Sequence, residues 1–148
     1  LPALIMMCKD AKKGKGDDLF LFFDENGNRQ DVKAYHVNEY IQDVSGEKFT
    51  AKDFRTWGGT KLAAGKMTTF KKKDDKKQRK KNITQMIKEV SKRLGNTPAV
   101  CRGSYIHPRF VSDYLRGSFF RLWKDTLGEQ MYPLSENESH VIRYLENS

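Results

Sequence analysis

Between Tyr35 and Gly46, apolar side chains fall at Val37, Tyr40, Ile41 and Val44. That three-and-four spacing predicts one face of a helix, with Gly46 as its stop. The pattern returns more strongly at Ile83, Met86, Ile87, Val90 and Leu94, and "LGN" closes it. Thr97 then offers an N-cap, with Pro98 at the first helical position. Thr50 caps a further predicted helix starting at Ala51, with a kink or break expected at Gly58-Gly59. "HPRFVSDYLRGSFFRLW" predicts one more, broken near Gly117, and "SENE" is a capping box opening a last helix from Glu136 to Leu145. Residues 2–13, with Leu4, Ile5 and Cys8 at helical spacing, predict a helix ending at Gly14. Only Leu19 to Phe23 changes period, and the "DENG" turn after it predicts a short hairpin. The expected fold is mainly α with a β-hairpin near the start, in one domain over residues 1–148, without an internal repeat.

Charge narrows the partners. The 148 residues hold 28 Lys plus Arg against 19 Asp plus Glu, a formal net charge of +9 and a pI near 9.5. Such a balance favours a polyanion, nucleic acid or an acidic membrane surface. No apolar run approaches the ~20 residues of a membrane span. Two cysteines, Cys8 and Cys101, without a secretory signal read as reduced thiols of an intracellular protein. There is no Cys/His cluster with metal spacing, no Gly-rich phosphate loop and no Gly-x-Ser-x-Gly elbow. No metal and no small-molecule cofactor are therefore expected.

Three features remain as candidate chemistry. Lys52 and Arg55, three apart on the first turns of a helix, project from one face. An arginine can grip two phosphate oxygens while a lysine adds a point charge, although the same pair also suits a solvated helix face. Asn96 stands where a helix-stop residue is usual, and its amide can also donate to an oxyanion. Tyr105 is either an aromatic anchor at a helix end or a nucleophile. A phenol ionises near pH ~10, so attack needs nearby cations or a base. Arg102 and Arg109 are local candidates for that positive potential. Between the two segments lies the densest basic run: Lys71, Lys72, Lys73, Lys76, Lys77, Arg79, Lys80 and Lys81, eight cations against Asp74 and Asp75. It reads either as a phosphate-contacting surface or as a solvated linker and helix start.

Taken in order, these segments resemble a known family. "VNEYIQDVSGEKFTAKDFRTWGGT" and "VSKRLGNTPAVCRGSYIHP" look like the two diagnostic blocks of the type IB DNA topoisomerases, in the small form of bacteria and poxviruses. "LFLFFDENG" resembles the stretch leading into them, so the resemblance spans roughly residues 17–115. It implies the helical catalytic domain shared with tyrosine recombinases. It also implies that Tyr105 attacks a phosphodiester of double-stranded DNA, forming a 3′-phosphotyrosyl link and freeing a 5′-hydroxyl. Arg55 would bind the non-bridging oxygens of that phosphate, and Lys52 would contact the same region. Asn96, nine residues before the tyrosine, takes a family position held by histidine or asparagine. It would hydrogen-bond a non-bridging oxygen, since an amide is no general base. Neither metal nor ATP is implied, because one phosphoester is exchanged for another.

The family's second arginine and its general-acid lysine, on a β-hairpin, lie upstream of the matched blocks. Lys9, Lys12 and Lys13 lack that hairpin context, so the chain reads as the C-terminal catalytic portion of a longer enzyme, impaired alone. The resemblance further implies a monomer in the bacterial cytoplasm, at the nucleoid. Three alternatives stand beside it. One is a tyrosine recombinase, against which Lys52 counts, since that position is usually histidine there. Another is a DNA-binding fragment left inactive for want of the upstream arginine and lysine. The third is a basic helical module with no DNA role, against which the two blocks count.

Overall fold

The computed structural model describes residues 20–71 and 75–147; the helix expected over residues 2–13 lies outside them. The chain divides into two compact units, Leu1–Ala51 and Lys52–Ser148.

In the first unit, β1 (Leu21–Phe23) and β2 (Arg29–Asp31) pair antiparallel, with Phe22 opposite Gln30. The predicted hairpin is present, and Asp24 organises its turn. One carboxylate oxygen accepts from the backbone N–H of Asn26 and Asn28, and the other from Gln30 Nε2. These bonds hold the Asp24 carboxyl below the usual carboxylate range, the Asn28 amide contributing most. Gly27, at φ 76°, supplies the left-handed residue the turn requires. Helix α1 (Ala34–Ser45) follows and ends at Gly46 in the left-handed conformation, as its pattern predicts. His36 secures its start by accepting from the Lys33 N–H at 2.9 Å. The apolar stripe behaves differently from expectation: α1 has no buried residue, and Val37, Tyr40 and Val44 are all exposed. Among the described residues of this unit, a two-stranded hairpin and one helix offer too little surface to cover such a face.

The second unit is helical: α2 (Ala51–Thr68), α3 (Lys76–Leu94), α4 (Pro98–Ser104), α5 (Pro108–Arg116), α6 (Phe119–Lys124) and α7 (Glu136–Glu146). The break expected at Gly58-Gly59 is absent, and α2 runs through both. Its buried side, Gly59, Thr60, Ala63, Ala64 and Met67, is made of small residues with one methionine. That composition lets a neighbouring backbone lie close without bending the helix.

Thr97 caps α4 with Pro98 behind it, and Ser135 caps α7 in a reciprocal box with Glu138, as the sequence predicts. Asp75, read in the sequence only as a charge within the basic run, caps α3. Gly117, at φ 88°, separates α5 from α6. The core gathers Ile83, Met86, Ile87 and Val90 of α3 with Cys101, Ile106, Phe110, Tyr114, Phe119, Val141 and Tyr144. Within it Phe110 and Tyr144 stack, ring centroids 4.5 Å apart and 19° from parallel. Tyr144 also donates to Asp113 at 3.0 Å, and burial, then that carboxylate, pushes its phenol well above the usual range.

Candidate active site

Three helix ends meet around Tyr105. Helix α3 stops at Leu94 because Gly95 turns left-handed at φ 66°. The last carbonyls of a helix lack internal partners and carry the negative end of its dipole, so they attract cations and donors. Arg55, one turn into α2, donates through its guanidinium to the Leu94 carbonyl at 2.6 Å. Asn96 Nδ2 donates to the same oxygen at 3.2 Å. The Arg55 guanidinium carbon also lies 5.2 Å from the centroid of the Tyr105 ring. Arg55, Asn96 and Tyr105, fifty residues apart at the extremes, thus converge on one point. Arg55 is exposed, and Asn96 and Tyr105 are half-buried. The group is held by these contacts yet open to a ligand. Lys52 precedes Arg55 by three residues on α2, also exposed, on the first turn as expected.

The sequence did not reveal what holds Tyr105. The tyrosine ends α4 as its C-cap, its N–H donating to the Cys101 carbonyl at 3.0 Å. Helix α2 runs beneath it. A Cβ added to Gly59 would fall onto the Tyr105 carbonyl oxygen and lie 3.1 Å from the Tyr105 Cβ. Read as a kink, Gly59 is instead a point of contact. The available signal was its cost: a glycine inside a helix loses about 1 kcal/mol against alanine, which calls for a packing reason. Beside it, Cys101 is buried, and desolvation raises its thiol although Arg55 works against the shift.

The basic residues divide by place. Lys71, Lys76, Lys77, Lys80 and Lys81 are exposed, the last four on the opening turns of α3, and Arg102 is exposed on the last turn of α4. Lys72 and Lys73 lie outside the described residues. Arg79 is half-buried, and its Nε donates to the Leu115 carbonyl at 3.1 Å, tying α3 to the end of α5. Arg109 is not the neighbour of Tyr105 that its sequence position suggests. Its guanidinium pairs with Asp113, donates to the carbonyls of Leu145 and Asn147, and lies 4.9 Å from the Tyr144 ring centroid. It closes the C-terminal end of α7. His107 caps α5, its Nδ1 accepting from the Arg109 N–H at 3.4 Å. Among the described residues no group of three or more His, Cys, Asp or Glu is placed to hold a metal, and no helix is long and apolar enough to cross a membrane.

An arginine fork and an amide donor sharing an acceptor beside a phenol form a set suited to phosphoryl transfer. The family described as "Eukaryotic DNA topoisomerase I, catalytic core" matches residues 2–116. The chain belongs to this family. DNA topoisomerase 1B of Acanthamoeba polyphaga mimivirus is 36% identical to it over an alignment of 105 residues, and the match covers 66% of this chain. The chain spans only 31% of that topoisomerase's length. Membership of the topoisomerase I catalytic core family disfavours the recombinase alternative. The relative is viral, so the bacterial source expected from the sequence gains no support. The mainly α architecture with its single described hairpin agrees with the topoisomerase assignment.

Proposed function

We propose that the chain carries the strand-transfer centre of a type IB DNA topoisomerase, which relaxes supercoiled duplex DNA by transient single-strand cleavage. In this reading Tyr105 Oη attacks a backbone phosphorus. The bond from phosphorus to the 5′-oxygen breaks, that oxygen takes up a proton, and a 3′-phosphotyrosyl link remains. The free end swivels, and the 5′-hydroxyl then attacks the same phosphorus, releasing Tyr105 and restoring the strand. The number of phosphoester bonds is unchanged at each step, so no nucleotide is consumed.

The observation that carries the reading is the convergence of Arg55 and Asn96 on one oxygen acceptor next to the Tyr105 ring. Both are donors already aimed at an oxygen. Charge in such a transfer gathers on the equatorial phosphate oxygens, and fixed donors there lower the barrier without reorganising. The Leu94 carbonyl keeps the two donors side by side, and the remaining N–H groups of the guanidinium are available to a phosphate. Lys52 adds positive charge on the same face of α2, and the exposed lysines of α3 with Arg102 attract the duplex.

The test is covalent capture. Intact protein incubated with a nicked or suicide duplex should yield a protein–DNA adduct joined through Tyr105 to a 3′-phosphate, and Tyr105→Phe should yield none. An adduct persisting in Tyr105→Phe, or one joined through a 5′-phosphate, would sink this reading.

A further inference from the structure

We infer that Thr56, Gly59 and Thr60 of α2 form a clamp that sets the position of the Tyr105 main chain, and through it the aim of the phenol. This rests on the role proposed for Tyr105 and names positioning residues for that reaction.

Three contacts from one face of α2 bracket the tyrosine. On its N-terminal side, the Thr56 hydroxyl shares its proton between the Lys52 carbonyl at 3.0 Å and the Ser104 carbonyl at 3.2 Å. On its C-terminal side, Thr60 Oγ1, buried at 2% exposure, accepts from the His107 N–H at 3.0 Å. Between them, Gly59 presents bare backbone to the Tyr105 carbonyl, with no room for a Cβ. The adjacent Gly58 is different, for a Cβ there meets nothing within 4 Å. Arg55 immediately precedes Thr56 on the same helix. One rigid element therefore positions both the phosphate-binding guanidinium and the nucleophile's backbone. Residues 105–107 link the end of α4 to the start of α5, and α2 adds its constraint from outside both helices. A displacement of about 1 Å at a reacting group can cost about 100-fold in rate.

The paired glycines make the test selective. Gly58→Ala and Gly59→Ala give α2 the same gain in helix propensity, but only the second collides with Tyr105. In single-turnover adduct formation with a suicide duplex at saturating intact protein, Gly58→Ala should react within about twofold of the parent, as an open surface site does. Gly59→Ala should fall by about 100-fold, with non-covalent duplex binding little changed. Thr60→Val, which leaves the His107 N–H without its acceptor, should slow adduct formation about tenfold, and Thr60→Ser should restore it.

Equal rates for the two alanine variants would overturn the clamp, as would a rate loss matched by an equal loss of duplex binding. Should Gly59→Ala fail to fold, the Thr60 pair decides. Equal rates for Thr60→Val and Thr60→Ser would then overturn it, and so would a Thr60→Val protein that also fails to fold, because the contact would then serve stability. A parent protein that forms no adduct sinks the topoisomerase reading and the clamp together; an active parent with indifferent variants sinks only the clamp.

Discussion

The guanidinium of Arg55 stands 5.2 Å from the ring centroid of Tyr105, while its NH2 group is bound to the last carbonyl of α3. One side chain thereby joins the helix that carries it, the end of a second and the candidate nucleophile at the end of a third. Arg55→Lys keeps a positive charge but loses the fork that can hold Leu94 and a phosphate together. Adduct formation should fall by about 100-fold or more, the usual cost of removing one fixed oxyanion donor. Duplex affinity should change much less if, as proposed, the guanidinium acts mainly in the transition state. Single-turnover cleavage measured beside non-covalent binding separates the two effects. Comparable losses in both would mean that Arg55 only binds.

Asn96 is the second donor on the same carbonyl, at 3.2 Å. Asn96→Ala should slow cleavage about tenfold or more, and Asn96→His, which can still donate, should retain much of the rate. Asn96→Asp is near-isosteric but acceptor-only when ionised, so it should be worse than alanine at neutral pH. Rates for the three variants on one substrate decide the matter, and an Asp variant as fast as the parent would remove Asn96 from the oxyanion site.

The sequence made the frame of this site legible because its punctuation is local. Gly95, Thr97-Pro98, Gly117 and the Ser135–Glu138 box each act within one turn of chain, and each stands where its chemistry predicts. The convergence of Arg55 and Asn96 on Leu94 was not legible in that way. It depends on helices distant in sequence, and only family resemblance linked the two blocks in advance. Arg109 shows the opposite error. Four residues from Tyr105 in sequence, it is turned by α5 toward Asp113 and the end of α7. Gly59 was visible as an oddity, but its meaning lay in what packs against it. The stripe on α1 was correctly placed along the chain, yet periodicity says which residues share a face and not whether that face is covered.

Glu138 gives a pH signature independent of catalysis. The Ser135 hydroxyl, then Lys61 and the Ser135 N–H, hold its carboxyl down at about 2 against an ordinary 4.5. A carboxylate more acidic folded than unfolded favours the folded state above the unfolded value. That contribution is lost as pH falls from about 4.5 through about 2. Glu138→Gln should therefore lower Tm near neutral pH and flatten its acid dependence in that window. Melting curves from pH 7 downward test this, and parallel Tm profiles for parent and variant would show that the capping box is not the acid-sensitive element.

Lys77, Lys81, Lys88 and Lys92 are all exposed and recur along one side of α3, at offsets that keep a single helical face. The helix leads from the basic run to Leu94, whose carbonyl receives Arg55. A duplex lying along this side would meet a row of exposed cations on its way to the site. Replacing one such lysine by glutamine should lower duplex affinity uniformly across sequences and reduce the log–log salt slope by about 0.9 for each phosphate no longer neutralised. At saturating DNA the cleavage rate should stay near the parent's if, as proposed, these side chains hold the duplex without touching the reacting phosphate. Affinity measured at several salt concentrations for Lys81→Gln, Lys88→Gln and the double variant gives the slopes. Slopes that stay at the parent value in all three would place the duplex on another face, leaving the α3 lysines as solvated charge.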